Sequence, residues 1–586
     1  MNKKDLILNI LLFISQIIVF YYFFCYLFPF KEQLQMFQFT SQYLTETLKQ
    51  AGGVAIYISE FLSQFYVVFW TGPIISALLL TLVALLSSLI LKKINSRNDL
   101  PLIFLLPWLS LLIISLDYDY YEQGTIAYLF LLLFLWLYTN IKTRIKFIYG
   151  ICIIPILYGI AGPIVHLFAI SALFFEFLTN GKKKYISIIY LLIAALSAIA
   201  GTYLGYSRNL TLAFLPEAYC NPLQTVSGIY YAWYALPMTM LLVAYLKRYK
   251  EPVSLKGKCI WEGVQWAIMF LLVYQGIFHF GKLDAQHSMK QDYLLRTEQW
   301  DLVISEFNHD VLSKRRMCGL NLALAHKGQL SERLLDYPQH GIETLMLHWD
   351  QSIYTAQLHS DLYYCMGIIS AAQKFAFEAF VSSRSSGNPR MLKRLIETNL
   401  ITGSYPIADK YIQLLEKTWF YKDWATAHRR FLYNDKAVEE DKILGMKRRC
   451  WKAEASAAKL YTDPVSSLIN LLPACPDNKA GLAYLTSFLL LNKDIETYKT
   501  LQESLYRSPA WRDMTECQQE AIVICSPNDP HFWLEHGVSI KVRNRAIAFM
   551  QKVQDVSRSG QNLAVALASE YGKTYWYYYM FNMMDK

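Results

Sequence analysis

FIYGICIIPILYGIAGPIVHLFAISALFFEFLTNGKKK, residues 147–184, decides the topology of the chain. Its apolar part, Phe147–Leu178, runs for 32 residues. As a single α-helix it would be about 48 Å long, against a bilayer core of about 30 Å. Gly159, Gly162 and Pro163 offer a break in the middle. The stretch therefore reads as two short crossings, Phe147–Tyr158 and Pro163–Leu178. Counting them as one would send Lys182, Lys183 and Lys184 to the opposite side of the membrane.

Seven more apolar runs surround this one: Leu6–Phe28, Pro73–Leu91, Pro101–Leu116, Gly124–Tyr138, Tyr185–Tyr206, Gly228–Leu246 and Gly263–Phe280. With the N-terminus inside, the inner segments hold 16 Lys and Arg, the triplet included. The outer loops hold Lys31, Lys49 and Arg208. The positive-inside rule selects this arrangement of nine crossings. It leaves everything after Gly281 outside. Lys3 and Lys4 before more than 20 apolar residues read as an uncleaved anchor, since no small-residue cleavage site follows. The expected location is a bacterial plasma membrane, N-terminus cytoplasmic.

Charge divides the chain in the same way. Residues 1–281 carry 19 Lys/Arg and 12 Asp/Glu, and residues 282–586 carry 37 and 34. The whole chain, 54% apolar and 17% charged, is no disordered or disulfide-scaffold sequence. The nearly balanced, dispersed charge of the tail argues against nucleic-acid binding. The expected fold is all-α: a transmembrane helical domain over 1–281 with a long first outer loop (29–72), then an extracytoplasmic helical-repeat domain over 282–586.

The first outer loop, Pro29–Gly72, predicts two helices on the outer face. Phe30, Leu34, Phe37, Leu44 and Leu48 form one apolar stripe. After Gly52-Gly53, Val54–Trp70 is more apolar but carries Glu60, Ser63 and Gln64. Reading that run as a tenth crossing would reverse every later loop. The second outer loop is acidic: Asp117-Tyr118-Asp119-Tyr120-Tyr121-Glu122. Three carboxylates there suit a divalent cation, Mg or Mn, holding a phosphate leaving group. Glu32 is then the candidate base for an acceptor hydroxyl, with Asp117, Asp119 and Glu122 as metal ligands. Acids and tyrosines also collect at the outer ends of crossings for plain interfacial reasons. His166, Glu176 and His279 lie in or near crossings but form no chain of groups in register, which disfavours a pump or channel.

In the tail, Leu320-x-Leu322-Ala323-x-Ala325-x-x-Gly328, Leu362-Tyr363-Tyr364-x-x-Gly367 and Leu395 through Gly403 to Leu415 each read as a helix, a glycine turn and a second helix. Tyr484–Leu505 repeats the pattern with Asn492-Lys493-Asp494 at the turn. Stacked helix pairs of this kind, tetratricopeptide-like, offer a surface for a protein or peptide partner. Tyr337-Pro338-Gln339-His340-Gly341 reads as a turn between helices. Six tail cysteines, Cys318, Cys365, Cys450, Cys475, Cys517 and Cys525, allow 15 pairings and the sequence selects none.

Two resemblances follow from these residues. The inside N-terminus, long first outer loop and Asp117-x-Asp119 resemble type-C glycosyltransferases, which use polyprenyl-linked sugars; members carry an Asp near the position of Glu32. The tail also makes the plan similar to lumenal O-mannosyltransferases with tetratricopeptide tails. Second, Trp300-Asp301 through Leu324, Tyr337–Gly341, Gly387-Asn388-Pro389-Arg390 and Glu397-Thr398-Asn399-Leu400 look like an uncharacterised bacterial family joining a polytopic front to a helical outer tail. The resemblances imply one of two roles: an enzyme transferring a lipid-linked sugar, its tail binding the acceptor, or a non-catalytic envelope scaffold whose tail docks partners.

Overall fold

In the computed structural model the described residues are 3–97, 100–179, 187–221, 226, 228–249, 254–306, 313–383, 387–456, 463–505 and 514–582. Lys182–Lys184 lie outside them. The described chain is helical throughout, with one isolated β-bridge between Tyr120 and Cys220. It divides into two compact units, Met1–Met289 with Lys417–Phe420, and Lys290–Glu416 with Tyr421–Lys586.

Among the described residues of the first unit, six helices are long and apolar enough to cross a membrane: Asp5–Phe23, Thr71–Ile94, Glu122–Asn140, Ile145–Thr179, Gly228–Leu246 and Lys256–Phe280. Ile103–Ser115 and Ile188–Tyr203 are apolar but shorter. The 35-residue helical stretch is not continuous. The helix Thr143–Ala161 ends at Gly162, whose φ of +79° suits a residue without Cβ. A 3-10 turn, Gly162–Ile164, then starts the helix Val165–Thr179. Such a break exposes backbone groups that a buried site must satisfy. Tyr219 does so: its hydroxyl accepts from the Ile164 N–H at 3.0 Å and donates to the Ala161 carbonyl.

The segment Pro29–Gly72 packs on this break. The Gly52 N–H reaches the carbonyls of Tyr158 and Gly159 at 3.2 and 3.1 Å. A Cβ on Gly52 would lie 3.0 Å from the Ala161 backbone. The stripe from Phe30 to Leu48 is not one helix, which corrects the sequence expectation. Helices cover Leu27–Glu32 and Ser41–Leu48, and 35–40 are non-helical. Phe37 sits among the rings of Tyr43, Tyr57 and Phe61 at 5.0–5.5 Å. Burying that ring outweighs helix periodicity, and Thr40 restarts the helix by accepting from the Tyr43 N–H. The run from Val54 forms an 11-residue helix, Gly53–Ser63, and a 3-10 turn, too short to span a bilayer.

Among the described helices of the second unit are pairs joined by left-handed turns. Lys314–His326 is followed by Leu330–Arg333, Ile353–Met366 by Ile369–Ser382, Pro389–Thr402 by Tyr405–Glu416, and Lys479–Leu491 by Ile495–Leu505. The turn residues Gly328, Gly367, Gly403 and Lys493 have φ of +70°, +85°, +77° and +55°. Each turn closes with the same bond, an amide reaching back five residues: Gln329 to Leu324, Ile368 to Tyr363, Ser404 to Asn399 and Asp494 to Leu489, at 2.8–3.0 Å. Ser313, Ser352, Asn388 and Asn478 cap the first helix of the four pairs.

Candidate functional site

The acidic loop lies between helix Leu106–Ser115 and helix Glu122–Asn140, and it is buried: Asp117 is 6% exposed, Asp119 0%, Glu122 3%. Its shape is set locally. The Asp117 carboxylate accepts from the Asp119 N–H at 2.9 Å, an Asx turn. The loop is also paired with the segment around Cys220. The Tyr121 N–H reaches the Tyr219 carbonyl at 3.0 Å, the Asn221 N–H reaches the Asp119 carbonyl at 2.8 Å, and the Asn221 amide donates to Asp119 Oδ1 at 3.0 Å.

The two aspartates converge on a cation, and that cation is a lysine. Lys282 Nζ lies 2.8 Å from Asp117 Oδ1 and 3.0 Å from Asp119 Oδ2, and 4.2 Å from the centre of the Tyr118 ring. Burial disfavours the Lys282 charge, but the two carboxylates more than offset it and hold its pKa above the ordinary lysine value. Lys282 has φ +42°, a strained backbone for a residue with a Cβ, between the helices Leu255–Phe280 and Leu283–Arg296.

A second lysine lies against the loop. Lys31, 5% exposed, donates to the Ser115 carbonyl at 2.9 Å and lies 5.9 Å from the centre of the Tyr120 ring. Burial pulls its pKa below the ordinary value, against the opposing pull of Glu122, Asp117 and Asp119. Glu122 faces elsewhere, accepting from Ser76 Oγ at 2.9 Å, with the Tyr66 hydroxyl 3.3 Å from the same Ser76. Glu32, next to Lys31 in the chain, is 3% exposed, and its carboxylate accepts from the Gln33 amide.

Of the four expected residues, then, Asp117 and Asp119 share one partner, Glu122 belongs to a hydroxyl pair, and Glu32 lies on the helix that carries Lys31. As arranged, both aspartates pair with the Lys282 ammonium. Among the described residues no group of three His, Cys, Asp or Glu is placed to hold a metal. Sequence reasoning missed the two lysines and Asn221. The available signal was charge: Lys31 is a basic residue in a sparsely charged part of the chain, and Lys282 follows the last apolar run directly.

The second unit has a cavity of about 500 Å³, walled on one side by Tyr337–Gly341 and on the other by Tyr577 and Phe581. Tyr337–Gly341 is indeed a connection between helical turns. It is held by Gln339, whose amide donates to the Leu334 carbonyl and accepts from Asn321 and Thr344 at 2.7–3.2 Å. His340 and Pro338 are exposed. The other motif residues, Asn388 and Arg390, do structural work. Asn388 caps the helix Pro389–Thr402. Arg390 bridges Asp292 at 2.7 Å and Asp361 at 2.5 Å, and Arg394 joins Asp361 at 3.0 Å and Glu397 at 2.8 Å.

No curated protein and no solved structure matches the chain. One family model does, over residues 2–582, and its description is a family of unknown function, DUF6057.

Proposed function

The chain belongs to DUF6057, a family of unknown function, and we propose that it is a multi-pass protein of a bacterial plasma membrane that presents a partner-binding helical domain outside the cell membrane. The proposed topology has nine crossings: the six long helices, with Ile145–Thr179 counted as two, plus Ile103–Ser115 and Ile188–Tyr203. The break at Gly162 and the bias of basic residues between loops support it. The second unit is tetratricopeptide-like in this reading, and the cavity beside Tyr337–Gly341 supports a peptide segment as its partner.

The observation that carries the scaffold reading is the Lys282 ammonium between Asp117 and Asp119. This pairing engages both carboxylates with a side chain of the protein itself, and it fixes the chain where helix Leu283–Arg296 begins. The alternative is a type-C-like transferase of a polyprenyl-linked sugar. It is favoured by three buried carboxylates at one end of a helix bundle, an expensive arrangement that often marks function. A Mg or Mn ion would enter only by displacing Lys282, and Glu32 would act as base.

The test is the triple variant Asp117→Asn, Asp119→Asn, Lys282→Met, which removes the three charges of the ion pair together. Surface glycan and glycoprotein are compared at equal protein level. Unchanged glycans support the scaffold, and their loss supports the transferase.

A further inference from the structure

The six tail cysteines differ in what their sulfurs touch. Cys318 Sγ lies 3.1 Å from the Glu343 carbonyl and Cys525 Sγ 4.0 Å from that of Ile495. Cys450 and Cys475 touch each other. Their sulfurs are 2.6 Å apart, closer than two unbonded sulfur atoms rest, and both residues are fully buried. Cys450 is on helix Lys442–Ser456, and Cys475 is in the connection between helices Pro464–Leu471 and Lys479–Leu491.

The surroundings are built around this pair. The Gly367 turn lies over it, where a Cβ would come within 3.2 Å of Cys450 Sγ and 2.9 Å of the Asn478 amide. Asn478, three residues after Cys475, donates to the Met366 carbonyl at 2.8 Å, and Lys447, one turn before Cys450, donates to the Cys365 carbonyl at 2.9 Å. Both elements are thereby tied to the same helix end.

We propose that Cys450 and Cys475 form a disulfide bond in the cell, a cross-link between helix Lys442–Ser456 and the connection before Lys479–Leu491. The cross-link rests on the outer-side placement of this unit given above, because disulfides persist in oxidising compartments. The oxidant is a disulfide, either of a thiol–disulfide exchange protein or of a small molecule. One cysteine thiolate attacks it and releases one of its sulfurs as a thiol. The second cysteine, losing its proton, attacks the mixed disulfide and releases the other. The two cysteines give up two electrons and two protons, and the oxidant becomes two thiols. Cys450 is suited to the first attack: the Cys475 thiol hydrogen-bonds to its sulfur and, against burial, the Lys447 ammonium helps hold its thiol below the ordinary value.

The experiment alkylates the full-length protein from isolated membranes in denaturant and maps its peptides by mass. The expected result is a joined Cys450–Cys475 peptide pair, two hydrogen atoms lighter than the separate thiol peptides. The joined pair separates into alkylatable thiols after reduction. Cys450→Ser then leaves Cys475 alkylated without reductant. Thiols that are free as isolated would overturn the disulfide in the cell, and their joining on treatment with dipyridyl disulfide would then trace the failure to the oxidising placement and not to the geometry of the pair. Thiols still free after that treatment, or Cys450 joined to another cysteine, would overturn the pair itself.

Discussion

In the first unit two aspartates share one lysine; in the second, one aspartate is shared by two arginines. Asp117 and Asp119 grip a flexible ammonium that is 35% exposed, at the edge of the cluster. Asp361 is gripped by the guanidinium forks of Arg390 and Arg394, which are 11% and 18% exposed and braced in turn by Asp292 and Glu397. The ring of Tyr364 lies 3.6 Å from Arg394. A guanidinium fixes direction as well as charge, whereas a lysine is a point charge on a long stem. The tail cluster is thus a rigid joint, and the loop cluster is one whose cation could be exchanged. This difference keeps the loop interesting for chemistry and marks the arginine cluster, although its residues carried a family resemblance, as architecture.

Removing the shared aspartate breaks the comparison most severely. Asp361→Ala leaves two buried arginines short of a partner and is expected to cost about 3–5 kcal/mol. Thermal unfolding and limited proteolysis of the second unit in the full-length protein would read it. Burial works to raise the Asp361 pKa, but Arg390 and Arg394 hold it below the ordinary carboxylate value. A depressed folded pKa contributes stability above the unfolded value of about 3.9, lost as pH falls through the folded one. The wild type should therefore weaken in acid below about pH 4, and Asp361→Ala should lose most of that dependence.

Glu520 sharpens the point because it is buried in the same unit without a fork. It accepts from the Tyr575 N–H at 2.7 Å, and Arg545 is no closer than 3.8 Å. Burial pushes its pKa up to about 7. Here the sign is reversed: stability is full below the unfolded value of about 4.3 and is lost as pH rises to about 7. Glu520→Gln should stabilise the unit by roughly 2–3 kcal/mol at pH 8 and by little at pH 5. An equal gain at both pH values would show that Glu520 stays charged.

In the loop cluster, Lys282→Met should cost about 2 kcal/mol, less than the Asp361 change because Lys282 is partly in solvent. Adding Asp117→Asn and Asp119→Asn should recover most of it, a coupling that a double-mutant cycle in detergent measures. Additive losses would mean the three residues are not one unit. The smallest effect belongs to Lys436–Glu440, a surface pair 3.7 Å apart with side chains 84% and 67% exposed. Lys436→Ala should change stability by less than about 0.5 kcal/mol.

What could be read from the chain alone follows from how local the cause is. Gly328, Gly367 and Gly403 announced their turns because a left-handed residue after a helix is most easily glycine. Lys493 takes the same conformation without that signal, and its turn was read from its polar neighbours instead. The break at Gly162 was legible from the excess length of the apolar run and from Gly159, Gly162 and Pro163 within it. The stripe from Phe30 to Leu48 misled because Phe37 finds its partners across the fold, at Tyr57 and Phe61. The acidic loop was visible as a candidate, yet the residue that pairs with its aspartates, Lys282, is 163 positions from Asp119. Nothing in the loop names a partner so distant. Tyr219 at the Gly162 break was hidden in the same way.

The turns at Gly328 and Gly403 differ from the turn at Gly367 in one respect: a Cβ at either would meet nothing within 4 Å. They open away from neighbouring atoms, so extra residues added there have somewhere to go. A short epitope or a biotin-acceptor sequence inserted after Gly403 would report which face of the membrane a labelling reagent can reach. It would do so from inside an intact helix pair, with no enzyme fused to the chain end.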